Sequence, residues 1–244
     1  MAELANSPTV RISELAERFG VATETVRRDI EELSQRGVID RTYGGAATRY
    51  IGLQPAVNER DRHAVAERGR IGRAAAALVK PGDVLMIDSG STTTQFARAL
   101  AATLSGPITV LTNSLAVAMT LVELPEARVI VCPGDLNGRE RGNYGADTVS
   151  FVGRYYADIA FIGASGLTVD GPTDVESRAC SVKRAMVDRA RRTILLVDSS
   201  KFDQKHLEVV CPLSRISDLI TDASPKGPLA QAIAQVGMTV TTAK

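Results

Sequence analysis

The sequence predicts an α/β domain with a mostly parallel sheet, preceded by a small winged helix-turn-helix domain. Three observations carry this reading. From Asp83 onward, short β-prone segments that are apolar throughout alternate with helical segments. That is the signature of a parallel sheet covered on both faces. Between Val10 and Ala47, two short helical patterns flank a tight turn and lead into a β-prone hairpin. Small polar residues also gather directly after five of the expected strands, where open α/β sheets bind ligands.

The first helical pattern has Ile12, Leu15 and Phe19 at helical spacing as one apolar stripe, with Ser13 as its expected N-cap and Gly20 as its stop. The second has Val26, Ile30 and Leu33 as the matching stripe. At about 100° per residue, the opposite side carries Glu24 and Arg28, with Thr25 and Arg27 on its flanks. Two adjacent arginines cannot point the same way. Arg28 is expected to face base edges and Arg27 phosphate. After Gly37, the run from Val38 to Tyr43 reads as strand and Gly44-Gly45 as a turn. Arg41, Thr42 and Tyr43 then belong to a wing beside a helix placed in the DNA major groove.

Residues 48–62 have no periodicity and contain Gly52 and Pro55, as expected of a linker. A helix over Ala64–Val79 follows. The expected strands are Val84–Ile87, Ile108–Leu111, Val129–Val131, Ile159–Ile162, Thr193–Val197, Leu219–Thr221 and Met238–Thr241. The expected helices between them are Thr93–Leu104, Ser114–Leu121, Ala146–Arg154, Arg178–Arg191 and Pro228–Gln235.

Composition sets limits. The chain has 244 residues, enough for two domains, and 44% of them are apolar. No apolar run approaches the ~20 residues that span a bilayer, and no signal peptide is visible. Cys132, Cys180 and Cys211 lie far apart without a CxxC, so they read as buried thiols of a reducing cytoplasm and not as a metal site. Residues 1–50 hold seven arginines and eight acidic residues, a net charge of −1. DNA binding therefore rests on the placement of arginines and not on bulk charge.

The chemistry concentrates at strand ends. Asp88-Ser89-Gly90-Ser91-Thr92-Thr93-Thr94 runs straight into a helix, offering N–H and O–H donors to an anion. Thr112-Asn113-Ser114, Pro133-Gly134-Asp135, Gly163-Ala164-Ser165-Gly166 and Asp198-Ser199-Ser200-Lys201 end the next four strands. Any one could be a capped helix start. Together they predict a donor-rich pocket with one cation, Lys201, suited to a phosphorylated polyol. The phosphate is expected on Asp88, Ser89, Gly90, Ser91, Thr92 and Thr93 beside Lys201. Thr112, Asn113, Gly134, Gly163 and Ser165 are expected to line the rest. Lys183 reads equally well as a ligand contact or a solvated lysine; His206 could reach the pocket mouth but reads first as a surface loop residue, and His63 reads as structural. Arg139 and Arg141 sit on a Gly-rich loop that could close over a ligand or remain a surface loop. The spacing lacks the Walker lysine and GxGxxG orders, so no nucleotide cofactor is expected.

The run ELAERFGV…TVRRDI…L…GVIDR…YGGA resembles the DNA-binding signature of the DeoR/GlpR family of bacterial transcriptional regulators. The likeness continues through DSGSTTT, TNS and DSSK, which resemble the family's sensor domain for phosphorylated sugars. It implies residues 1–50 as the DNA-binding domain, 51–62 as linker and 63–244 as the sensor. It also implies recognition of operator DNA through Thr23, Glu24, Thr25, Arg27, Arg28, Arg41 and Tyr43. A cytoplasmic homo-oligomer, dimer or tetramer, that represses a sugar or polyol catabolic operon follows from it. Family members usually carry a serine at the start of the recognition helix; here Ala22 stands there, so Thr23 is expected to cap. Only nine residues precede Val10, where the family has a full first helix, so that helix is expected to be truncated. The stretch ADIAFIGASGL…VKRAM…ILLVDSSKF further resembles ribose-5-phosphate isomerase, whose fold this sensor is thought to share. That enzyme's carboxylates are missing at Ile162 and Ser165, and Val182 stands where its helix has a glutamate. Binding without catalysis is the expectation, and an isomerase with an appended domain is the rival reading.

Overall fold

The computed structural model describes residues 9–35, 39–42, 44–48 and 64–244. The chain divides into two compact units between Leu53 and Gln54.

The N-terminal unit runs β1 (Thr9–Arg11), α1 (Ile12–Phe19), α2 (Thr23–Gln35), β2 (Ile39–Thr42) and β3 (Gly45–Thr48). Its strands form an antiparallel sheet in the order β1-β3-β2. Leu15, Ala16, Val26, Ile30, Ile39 and Ala46 make its core. Gly20 ends α1 with φ 64, a left-handed conformation that glycine adopts without a Cβ clash. Three expectations are corrected. Arg11, not Ser13, holds the N-cap of α1, without a side-chain bond, because β1 feeds directly into the helix. Phe19 is 58% exposed, and Ala16 takes its place in the core. The Ala22 carbonyl accepts the first bond of α2 from Val26 N–H at 3.3 Å, so Thr23 is the first helical residue and not the cap. The strand β1 was not expected from the sequence.

The C-terminal unit begins with α3 (Val65–Ala76) and then alternates. Its order is β4 (Val84–Ile87), α4 (Ser91–Thr103), β5 (Ile108–Thr112), α5 (Leu115–Leu121), β6 (Ala127–Val131), β7 (Asp135–Asn137), β8 (Gly142–Tyr144) and α6 (Ala146–Val152). Then come β9 (Ala157–Ile162), β10 (Gly166–Thr168), β11 (Gly171–Asp174), α7 (Ser177–Arg189), β12 (Ala190–Leu196), β13 (Glu208–Val209), β14 (Asp218–Thr221), α8 (Gly227–Gln235) and β15 (Thr239–Thr242). Seven strands form one sheet in the order β15-β14-β12-β9-β4-β5-β6. Every neighbouring pair in it is parallel. All seven strands expected from apolar runs are in this sheet, and the expected helices cover it.

Alternation along each strand feeds two cores. Leu85, Ile87, Phe161, Ile194 and Leu196 pack on one face under α3, α4 and α5, with the Phe96 and Phe161 rings 4.1 Å apart. Met86, Ala160, Ile162 and Leu195 point to the other face, under α6, α7 and α8. The order reverses between β4 and β9. From β4 the chain steps towards β5 and β6; from β9 it steps towards β12, β14 and β15. Crossovers that diverge this way open a crevice at the carboxyl ends of the two central strands. Two small additions flank that crevice: the hairpin β7–β8 and the antiparallel sheet β10-β11-β13. No helix among the described residues is long and apolar enough to cross a membrane.

Candidate functional site

The reversal between β4 and β9 places the Ser89–Thr93 turn and the Gly163-Ala164-Ser165 turn side by side. Both line one pocket with Arg68, Glu140, Tyr144, Asp174, Glu176, Ala179, Lys183, Asp198 and Lys201. The start of α4 has no side-chain cap. The Thr93 and Thr94 hydroxyls donate backwards to the Gly90 carbonyl at 3.0 and 2.7 Å and so do not cap the first N–H groups of the helix, whose residues Ser91, Thr92 and Thr93 line the pocket. A helix terminus in this state favours an anion.

Beneath the turn lies a buried ionic cluster. Lys183 Nζ is 2.8 Å from Asp88 Oδ2 and 3.1 Å from Asp174 Oδ2. The Ser165 hydroxyl and the Val175 N–H donate to Asp174 Oδ1, both at 2.8 Å. Asp88 Oδ1 has no hydrogen-bond donor among the described residues. The two carboxyls diverge accordingly. Burial drives the Asp88 pKa up, and Lys183 offsets this only in part. Burial also pushes Asp174 upwards, but Lys183 and the Ser165 hydroxyl outweigh it and hold that carboxyl below the usual range. Burial disfavours the Lys183 ammonium, yet Asp174 and Asp88 overcome this and raise its pKa well above the ordinary value.

A second buried pair closes the pocket. Arg68 Nε donates to Asp198 Oδ2 at 3.1 Å, with side chains 5% and 3% exposed. Burial would raise the Asp198 pKa, but Arg68 and Lys201 lower it. Asp198 Oδ1 accepts the Ser200 N–H at 3.2 Å and also its hydroxyl, which holds the short helical turn Ser199–Lys201 in place. On the far wall the Tyr144 and Ser89 hydroxyls share a 2.5 Å hydrogen bond. Burial drives the Tyr144 pKa up, so the phenol keeps its proton.

Of the residues expected to bind an effector, Ser89, Gly90, Ser91, Thr92, Thr93, Gly163, Ser165, Lys183 and Lys201 line this pocket. Four do not. Asp88 lies beneath the turn, fully buried against Lys183. The Thr112 hydroxyl donates to the Ile87 carbonyl at 2.6 Å and accepts the Ser114 N–H at 3.0 Å. Asn113 accepts the Ser89 N–H at 3.1 Å and donates to the Asn143 carbonyl at 3.2 Å, so it braces the turn from behind. Gly134 has φ 137, and a Cβ there would fall 2.1 Å from Thr148 Oγ1. These are supports of the site.

The expectation of a single cation is corrected, because Arg68 and Lys183 join Lys201 at the pocket. Ile162 and Ser165 carry no acid, but Asp174 brings a carboxylate onto Ser165. Its Oδ1 accepts the Ser165 hydroxyl and the Val175 N–H, and its Oδ2 faces the Lys183 ammonium. Arg68, Tyr144, Glu140, Asp174 and Glu176 were missed. An acidic pair flanking a helix start, Asp174 and Glu176 before α7, was the available signal for two of them. His206 is half-buried and its N–H donates to Thr173 Oγ1 at 3.3 Å; it is not among the pocket residues. Arg139 and Arg141 lie on the turn of the β7–β8 hairpin, and the residue between them, Glu140, lines the pocket. His63 lies outside the described residues.

On the N-terminal unit, Thr23, Glu24, Arg27 and Arg28 of α2 are exposed, and Thr25 is half-buried. Arg27 Nη1 pairs with Glu24 Oε2 at 2.7 Å. Arg41 lies on β2 opposite Ala46. Tyr43 lies outside the described residues.

Comparison with known proteins matches both halves. Residues 1–49 match the DeoR-like helix-turn-helix domain, and residues 63–223 match the DeoR C terminal sensor domain. The chain is 32% identical to the glycerol-3-phosphate regulon repressor of Escherichia coli (strain K12) over 88% of its own length and 85% of the relative's. It is 30% identical to the HTH-type transcriptional regulator IolR of Bacillus subtilis (strain 168), covering 87% and 84% of the two chains. Among solved structures, ribose 5-phosphate isomerase A from Methanocaldococcus jannaschii is similar with a TM-score of 0.42 and 20% identity, over 57% of this chain and 55% of that one. A helix-turn-helix in front of a parallel-sheet sensor, matched in that order along most of the chain, makes this protein a member of the DeoR family of DNA-binding transcriptional regulators.

Proposed function

We propose that this chain is a repressor of a sugar or polyol catabolic operon, released from or retained on operator DNA by a phosphorylated sugar. Residues 1–50 act as the winged helix-turn-helix, 51–62 as the linker and 63–244 as the sensor. The observation that carries the effector class is the uncapped start of α4, with Ser and Thr hydroxyls on it and Lys201 beside the same pocket. A phosphate there gains charge-assisted bonds from backbone N–H groups and an ammonium together. The remaining wall, polar and partly acidic, suits the hydroxyls of a polyol better than a second anion.

One winged helix reads one half-site, so a homo-oligomer, dimer or tetramer, on a two-fold operator is part of the proposal. Three buried free thiols suit a reducing cytoplasm. Titration calorimetry against pentose, hexose and polyol phosphates, with gel shifts on the upstream DNA of its own gene, is the test. Binding of unphosphorylated sugars as tight as of their phosphates would refute the effector class. An isomerase assay on the same phosphates separates the enzyme reading.

A further inference from the structure

Most pocket residues come from the carboxyl ends of the strands or from loops over them. Arg68 does not. It lies in the first turn of α3, and its N–H donates to the Ala64 carbonyl at 2.9 Å. Ala64 has φ 50, a left-handed conformation that residues with a Cβ adopt only at a cost. The backbone that arrives from the DNA-binding unit enters the sensor at this turn. The same turn holds a pocket wall: Arg68, Asp198, Lys201 and the Ser91–Thr93 turn line one cavity.

The Arg68–Asp198 pair is built so that one partner stays in place when the other leaves. Asp198 Oδ1 is fixed by the Ser200 N–H and hydroxyl, independently of Arg68. A guanidinium matches a phosphate through two parallel N–H bonds. A ligand phosphate on the α4 terminus therefore competes with Asp198 for the same cation.

We infer that Arg68 is a ligand-contacting residue that reports occupancy: a phosphate in the pocket draws its guanidinium from Asp198 and so shifts the first turn of α3, which is covalently continuous with the chain coming from the DNA-binding unit. This rests on the phosphorylated effector proposed above. It supplies what a population shift requires, a contact the ligand makes in one arrangement and not in the other.

The test uses the full chain. Asp198→Asn removes the competing carboxylate charge without any ligand. Its affinity for the upstream DNA of its own gene is expected to change by about five-fold or more, the lower end of allosteric couplings. Thermal melting followed by circular dichroism shows whether it folds. The double variant Arg68→Met/Asp198→Leu removes both charges of the pair and so leaves neither partner as a lone buried ion. In wild type, a saturating pentose or hexose phosphate is expected to change DNA affinity by about five-fold or more; in the double variant that ratio is expected to fall to about one. A folded Asp198→Asn chain with wild-type DNA affinity overturns the inference. So does a double variant that responds to ligand as wild type does. If neither inorganic phosphate nor any phosphorylated sugar binds wild type, the effector reading fails, while the ligand-free arm still decides the coupling.

Discussion

Lys183 Nζ lies 2.8 Å from Asp88 Oδ2, and neither side chain is more than 4% exposed. The lysine leaves α7 and the aspartate directly follows β4, so this pair ties the helix on one face to the floor of the anion-binding turn. Asp174, 3.1 Å from the same ammonium, makes the pair a cluster. Lys183→Met would leave buried carboxyls without their cation. Breaking a buried pair in this way costs about 3–5 kcal/mol. Urea unfolding should show a lower midpoint at unchanged m-value, and adding Asp88→Asn should recover part of the loss. A midpoint equal to that of wild type would mean the cluster is solvated.

The two acids of the cluster should respond oppositely to pH. Asp174 titrates below the ordinary 3.8, so it contributes stability that is present above that value and lost as pH falls through its folded pKa. Asp88 titrates above 3.8, so the folded state holds its proton more tightly and its ionised form costs stability at neutral pH. Asp174→Asn should therefore destabilise at neutral pH more than Asp88→Asn does. The gap between Asp174→Asn and wild type should narrow in acid below 3.8. Denaturant titrations at several pH values check this, and equal effects of both variants would contradict it.

Gly142→Ala should weaken effector binding by pressing on the anion-binding turn. A Cβ at this position would fall 2.7 Å from Ser89 Oγ and 2.8 Å from Ser89 Cβ. The Gly142 backbone also bridges to Ser114, so it cannot retreat freely. Ser89 must then move, and with it the N–H groups of α4. Calorimetry should read a loss of sugar-phosphate affinity of about tenfold, or 1.4 kcal/mol.

The sheet was legible because its expected strands are apolar throughout and 16 to 30 residues of helical pattern or turn separate them. The site was legible only where the chemistry is local. Ser89 to Thr93 and Lys201 stand in short polar runs after strands, and such runs can be read one at a time. Asp174 and Arg68 could not be placed that way. Asp174 ends β11, a strand of four residues held by antiparallel pairing to β10 and β13. Such pairings depend on distant segments and leave little periodicity. Arg68 meets Asp198 across 130 positions of sequence. Asn113 and Thr112 were expected at the ligand for a related reason: polar side chains at strand ends look alike in sequence, whether they face a pocket or brace the turn behind it. Ser13 and Thr23 failed as caps because Arg11 and Ala22 use backbone groups alone.

Arg28→Ala should weaken operator binding and relax preference at one base pair, since a good bidentate base contact discriminates by about 1–3 kcal/mol. Arg27 already pairs with Glu24, and an exposed pair of this kind is worth at most about 1 kcal/mol. It is therefore easily surrendered to a DNA phosphate. Arg27→Ala should weaken all sequences alike and lower the salt slope by about one unit. Gel shifts with operator and scrambled DNA across a salt series separate the two. Operator binding by Arg28→Ala equal to wild type would show that another face of α2 reads the DNA.

Lys201→Met tests the phosphate end of the pocket. Lys201 sits on the Ser199–Lys201 turn, which Asp198 holds through Ser200, so the substitution removes a charge without loosening its support. Lys201 is half-exposed, so its loss should cost little stability. A hydrogen bond to a charged group contributes about 1.5–3 kcal/mol, which corresponds to a fall in sugar-phosphate affinity of roughly ten- to a hundredfold. Arg68 and Lys183 remain, and so do the α4 N–H groups, so some binding should survive. Operator occupancy should then stop responding to effector at concentrations that saturate wild type. Calorimetry on wild type and Lys201→Met, each with a sugar phosphate and its unphosphorylated parent, gives the decision. The substitution should remove most of the preference for the phosphate while leaving the parent sugar's weak binding unchanged. An equal loss for both ligands would place Lys201 at the hydroxyls and leave the phosphate to the start of α4 and Arg68.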